Sequence, residues 1–170
     1  AGVEMGQGLN TKILQVAAAT FSIDPTKIKV NTTNTYRVAN TSPTAASASS
    51  DLNGKATEIA CLAILQRLKE VVATELNADI ATIEVKDDWV FIAGQKTDWN
   101  WNKLVMAAFV KRVSLSEHAH YAPPGIYFDS SKEKGHPFTY HVYGTAITTV
   151  TIDCLRGIYE IDSVKIVNDF

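Results

Sequence analysis

The chain has 170 residues, 46% hydrophobic and 20% charged, a composition that suits a globular core and excludes disordered and collagen-like chains. Its 16 basic and 18 acidic residues leave a formal charge of −2, so neither nucleic acid nor an anionic membrane is an expected partner. Two cysteines, Cys61 and Cys154, with no Cys-x-x-Cys pair, exclude a self-contained iron–sulfur or zinc-ribbon site.

No apolar run approaches the ~20 residues of a bilayer span, and the cysteines suit a reducing compartment, so a cytoplasmic protein is expected. The chain opens with Ala1-Gly2-Val3-Glu4-Met5-Gly6, without an initiator methionine and already inside a glycine-punctuated motif. It is therefore expected to be a piece of a longer protein.

In chain order, Leu9, Ile13, Val16, Ala17 and Phe21 recur at the three-and-four spacing of one helix face, and Asp24-Pro25 stops that helix. Ile28 and Val30 alternate with polar residues, predicting a short strand to about Thr32. Ser42 is a favoured N-cap and Pro43 suits the first helical position, so a second helix is predicted from here to about Leu76. Gly54 inside it costs about 1 kcal/mol relative to Ala, tolerable where a neighbouring backbone or ligand needs the space. A strand around Ile83-Glu84-Val85, a turn at Asp87-Asp88 and a strand Trp89–Ile92 follow, closed by Gly94. Asp98 or Asn100 caps a third helix running to about Arg112. The remainder reads as strands: Val113–Tyr121, then Tyr140–Val150, then a hairpin of Thr149–Asp153 with Tyr159–Val167 turning at Arg156-Gly157. The pattern defines an α+β class, a mixed sheet packed with two to three helices, with residues 1–170 as a single unit.

Two helix starts stand out. Gly6-Gln7-Gly8 precedes the first helix, where unpaired N–H groups and the positive dipole end favour an anion and glycine admits a close approach. The second start repeats this with Thr44, Ala45 and Ala46, whose side chains are too small to shield the amides, while Ser47, Ser49 and Ser50 add hydroxyls. Spacing alone favours ordinary helix capping with no ligand. Two such starts in one small domain would hold a polar, anionic, bulky ligand.

The wording of both segments goes further. Gly2-Val3-Glu4-Met5-Gly6-Gln7-Gly8-Leu9-Asn10-Thr11-Lys12, followed by the string from Asn40-Thr41-Ser42-Pro43-Thr44-Ala45-Ala46-Ser47 through Ser49-Ser50-Asp51-Leu52-Asn53-Gly54, resembles the molybdopterin-binding subunit or domain of the xanthine dehydrogenase and aldehyde oxidase family. The likeness continues through Gly135-His136-Pro137-Phe138 and Tyr143-Gly144 to Ile152-Asp153. It implies that Gln7 contacts the pterin with Gly6 and Gly8 permitting the approach, that Ala45 and Ala46 line the cofactor with Ala46 next to the molybdenum though not a side-chain ligand, and that Ser47 and Ser49 bind its phosphate-bearing portion. It also implies oxidative hydroxylation of a purine, or alternatively an aldehyde. The electrons would leave through 2Fe-2S clusters and FAD carried on other domains or subunits. The family's catalytic glutamate lies in a Gly-Glu-Pro-type motif that does not occur in these 170 residues, so no catalytic residue is expected here and the segment alone should be inert.

Two rival readings remain. His118 and His120 on a predicted strand, with His141 on another, are compatible with a three-histidine zinc site of an enzyme. Trp99, Trp101, Tyr121, Tyr127 and Phe128 offer an aromatic patch for a non-catalytic interaction module. The expected partners are the remaining molybdopterin-binding segments and the iron–sulfur and FAD domains, with a second copy of the chain as a further candidate through an exposed inter-domain face.

Overall fold

The computed structural model describes residues 2–32, 34, 36, 44–45 and 47–169. They fall in two compact units, residues 1–122 and 123–170.

In the first unit, helix α1 spans Leu9–Phe21 and ends where Ser22 turns left-handed (φ 53°) and donates its N–H to Ala18 and Ala19 carbonyls. Asp24 then accepts from the Thr26 amide and caps a single 3-10 turn, Pro25–Lys27. The strand predicted over residues 28–32 is absent: those residues are neither helix nor strand. Alternation at Ile28 and Val30 proposes a strand, but a strand needs a ladder partner, and none pairs with it among the described residues.

Helix α2 runs Ala48–Leu76 and stops at Asn77, left-handed at φ 50°, whose N–H returns to Ala73 O. Its start lies beyond the predicted Ser42-Pro43, residues that fall outside the described ones. Strands β1 (Ile83–Lys86), β2 (Trp89–Ile92) and β3 (Gln95–Asn100) form an antiparallel sheet in that order. Asp87 and Asp88, both at positive φ (47° and 68°), make the tight β1–β2 turn expected of that dipeptide. β3 has no counterpart among the predicted strands. Helix α3 (Trp101–Val110) begins at Asn100, whose Oδ1 accepts the Lys103 N–H at 2.9 Å.

The core lies between α2, the sheet and α3: Leu68, Val72, Ile83, Val90 and Leu104 are fully buried, with Trp99 beside them. Each such aliphatic side chain contributes roughly 1.5–3 kcal/mol by leaving water. The Asp88 turn ties the layers together. Its amide donates to Ser22 O at the end of α1, its carbonyl accepts from Trp101 N at the start of α3, and its carboxylate meets Lys27 Nζ at 2.6 Å.

After α3, residues 113–121 were predicted as a strand but lie outside helix and strand. Arg67 of α2 explains the difference. Its guanidinium donates to one main-chain carbonyl of the segment, Ser116 O at 3.3 Å, and to the Glu117 carboxylate Oε2 at 2.8 Å, so the segment is held by a side chain, and no strand pairs with it among the described residues.

In the second unit, β4 (Tyr127–Asp129) pairs with β5 (Lys134–His136), a hairpin not anticipated from the sequence. β6 (Gly144–Asp153) pairs with β7 (Ile158–Asn168) along its whole length, starting four residues later than predicted and turning, as predicted, through Gly157 at φ 67°. Opposed residues share a face, so Ala146/Ile166, Thr148/Val164, Val150/Ile161 and Ile152/Tyr159 make one apolar side. Partners jump from Thr149/Ser163 to Val150/Ile161, leaving Asp162 as an extra residue. It faces the other side, where its Oδ2 accepts from Thr151 Oγ1 at 2.9 Å.

The α+β class thus stands, with three helices among the described residues and the strands distributed over three small antiparallel sheets in place of one mixed sheet. Each of those sheets is built from neighbouring strands joined by short turns, and no crossover connects two of them.

Candidate functional site

The first string is a tight loop wrapped around its own acid. Glu4 Oε1 accepts the N–H of Gly6 (2.9 Å) and of Gly8 (3.0 Å), while Oε2 accepts that of Asn10 (2.9 Å). These amides are the orphan donors that the sequence offers to a ligand anion. In the structure they are satisfied by an internal carboxylate, correcting the expectation of free amides before α1. The bonds, led by that from Asn10 and including Gly6 and Gly8, hold the Glu4 carboxyl below the usual glutamate range.

Gln7 also folds back on its own segment: its Nε2 donates to Val3 O at 2.8 Å and its Oε1 accepts from Met5 N at 2.6 Å. Gly6 and Gly8 have φ of 104° and 79° and nothing within 4 Å of where a Cβ would stand. They therefore present bare main chain that a side chain would both strain and cover.

The second string meets the first. Val3 N donates to Thr44 Oγ1 at 2.7 Å, and the same oxygen accepts from Ser49 Oγ at 3.1 Å. Gly2 packs against Leu9 and lies 3.3 Å, measured from an ideal Cβ, from Ser49 Cβ. Ser49 is buried at 6% exposure, so its hydroxyl lies in the joint between the strings. Ser47 precedes α2 without a side-chain cap bond and is exposed, as is Ala45. Ala46 lies outside the described residues.

Glu4 and Gly2 were given no role from the sequence, and Thr44 was singled out for its amide, whereas its hydroxyl oxygen makes the joint. For Glu4 the signal was available: an acid two residues before a Gly-x-Gly at a helix start can reach back onto those amides. Thr44 Oγ1 as a shared acceptor carries no such signal, because its partner Val3 is remote in sequence.

The other predicted groupings do not assemble. Among the described residues no three His, Cys, Asp or Glu side chains converge on a metal position. His118 and His120 lie in the segment that is not a strand, so the one-face argument behind a zinc site lapses. Of the aromatic patch, Trp99 is in the core and Trp101 packs against Phe21 with centroids 5.1 Å apart and the rings tilted by 49°, whereas Tyr127 and Phe128 are exposed on β4.

The glycine loop and the small-residue start of α2 are thus joined through Thr44 Oγ1, on an α+β scaffold that leaves the Gly6 and Gly8 main chain uncovered and Ser47 exposed. The molybdopterin cofactor-binding domain family matches residues 1–170, and the chain belongs to that family. It is 40% identical over 168 residues to the xanthine dehydrogenase of Oryza sativa subsp. japonica, covering 99% of this chain and 11% of the relative. Identity is also 40% over 156 residues to the xanthine dehydrogenase/oxidase of Mus musculus (92% and 10% covered), and 35% over 168 residues to aldehyde oxidase 2 of the same species (99% and 11%). The chain thus spans about a tenth of the length of these curated relatives.

Two solved structures share the fold over 98% of this chain. One is the reconstituted CO dehydrogenase from Oligotropha carboxidovorans (TM-score 0.72, 19% identity, 20% of that chain). The other is quinoline 2-oxidoreductase from Pseudomonas putida 86 (TM-score 0.71, 16% identity, 21% of that chain).

Proposed function

We propose that residues 1–170 are one α+β fragment of a larger molybdopterin-binding domain, supplying part of the cofactor cradle of a cytoplasmic molybdenum hydroxylase of the xanthine dehydrogenase type. The observation that carries this reading is the Val3 N–H to Thr44 Oγ1 bond, which draws the two strings together through residues 41 positions apart in sequence. Gly6 and Gly8 would allow the pterin to approach the main chain, and Gln7 would donate to it once released from Val3. Ala45 and Ser47 would line the phosphate-bearing part, with Ala46 beside the metal. Ser49 would act from within the joint, donating to Thr44. The residues fit the group in this respect: the bare faces of Gly6 and Gly8 and the exposed Ala45 and Ser47 leave room for a ligand.

The anion seat before α1 is the exception, because Glu4 fills it; phosphate recognition in this reading therefore falls to the start of α2. The molybdenum held by the pterin would supply the two-electron redox chemistry. The chain's own contribution is binding and orientation. The glutamate base, the 2Fe-2S clusters and FAD belong to other parts of the parent enzyme, and residues 1–170 alone are inert.

A purine is the proposed substrate. An aldehyde is the second reading, favoured by the 35% identity to an aldehyde oxidase. Molybdenum and pterin content of the native polypeptide, purified with Gln7→Ala or Ser47→Ala, tests the proposal. Each loss removes a hydrogen bond to an anionic or polar ligand and should lower cofactor retention by about tenfold. Full retention in both variants overturns it. Comparing turnover of purines and aldehydes by that polypeptide decides the substrate.

A further inference from the structure

The β6–β7 hairpin is amphipathic in a way that its own unit does not use. Val150, Ile152, Tyr159, Ile161, Val164 and Ile166 share one face, and all are exposed, Tyr159 at 72% and Ile152 at 63%. The opposite face carries all the charged residues of the hairpin, Asp153, Glu160, Asp162 and Lys165, with Thr145, Thr149 and Thr151, and only Ile147, Ile158 and Val167 interrupt its polar character. The segregation is maintained against the chain's own parity. On β7 the apolar positions are even at Ile166 and Val164 and odd at Ile161 and Tyr159, and the extra residue at Asp162 absorbs that switch. A bulge placed so that it keeps a face apolar over the full hairpin serves burial, since a solvated ribbon gains nothing from it. An isolated two-stranded hairpin is at best marginally stable in water; it needs a packed layer.

We propose that this face is seated against an uncharged, aliphatic face of another segment of the same polypeptide, which packs on it as a second layer at the usual ~10 Å spacing. The proposal rests on the reading of residues 1–170 as a fragment. Its support is length: the matched region is 11% of the curated relative, and the solved chain that shares the fold over 98% of these residues, hairpin included, is about five times as long. The face itself carries no charge, which argues against an acidic, basic or nucleic acid partner.

The test uses the native polypeptide that carries these residues. Oxidative footprinting of the unmodified protein should find Tyr159 shielded; labelling at the rate of a free tyrosine overturns the proposal. Ile161→Asp, on the apolar face, should lower the melting temperature and remove hydrogen-exchange protection from β6 and β7. Ser163→Asp, two positions away on the opposite face, should leave both unchanged. Equal effects of the two substitutions overturn the proposal. So does a concentration-dependent dimer whose dissociation, by dilution or by Ile161→Thr, exposes Tyr159, because a second copy would then be the occupant. These readouts do not depend on cofactor content, so loss of molybdenum binding and failure of the hairpin to be covered are scored separately.

Discussion

At Glu4 one carboxylate serves as the resident anion of a helix start. Its three amide bonds fix the left-handed turns at Gly6 and Gly8 and so set the path of Gln7 between them. Because these bonds favour the ionised form, the folded pKa lies below the unfolded one. The stabilisation is therefore fully present above the ordinary glutamate value and is lost as pH falls through the folded value. The amide resonances of Gly6, Gly8 and Asn10 should shift together in an NMR titration, with a common midpoint below the usual glutamate range. Glu4→Gln should abolish that titration and speed hydrogen exchange at the same three amides. Independent midpoints, or unchanged exchange in the variant, would rule out the shared cap. The general offer of a helix start was legible from Gly-x-Gly followed by an apolar period. Its occupant was not, because local pattern shows which donors are unpaired within the helix and not which nearby acceptor reaches them first.

Among the elements, α1 was legible to the residue, since a three-and-four spacing bounded by Asp24-Pro25 leaves little choice. β3 was hidden because Gln95-Lys96-Thr97-Asp98-Trp99-Asn100 is polar. It pairs on one side only, at the sheet edge, and buries Trp99 alone, which gives no period to read. Residues 113–121 erred in the opposite sense: their alternation is that of a strand, but no strand pairs with them among the described residues, and the Arg67 guanidinium, remote in sequence, holds them at Ser116 O and the Glu117 carboxylate. In α2, Gly54 was expected to make room for a neighbour. The nearest atom to a Cβ there is Val16 Cγ2 at 3.9 Å, an ordinary contact distance, and its φ is not positive. Gly54→Ala should thus fit and stabilise the protein by about 0.5–1 kcal/mol through lower unfolded-state entropy and better helix propensity. Thermal or denaturant unfolding measures this. A loss of stability would mean that α1 and α2 approach more closely than 3.9 Å allows. Retained stability with lost cofactor would assign Gly54 to the ligand.

For the whole molecule, the distribution of burial matters more than the element count. Every buried hydrophobic side chain among the described residues lies in residues 1–122, whereas the described residues from 123 to 169 hold two hairpins with no buried apolar residue. No helix among the described residues is long and apolar enough to cross a membrane, so the exposed strand faces are not accompanied by a spanning helix. Composition foretold a core but not its placement: the apolar residues of β6 and β7 count as fully toward 46% as those of α2, and only the fold shows that the former have nothing in their own unit to pack on. Residues 2–122 expressed alone should therefore unfold cooperatively, with the transition carried by the cluster around Leu68, Val90 and Leu104. Leu104→Ala, at a position of 0% exposure, should cost that fragment about 2–5 kcal/mol. Residues 123–170 alone should show neither a cooperative transition nor slow amide exchange, since hairpins without a packed layer are marginal. A sharp thermal transition in the 123–170 fragment would show that the hairpins carry their own stability. Non-cooperative melting of 2–122 would show that its core depends on something beyond these residues.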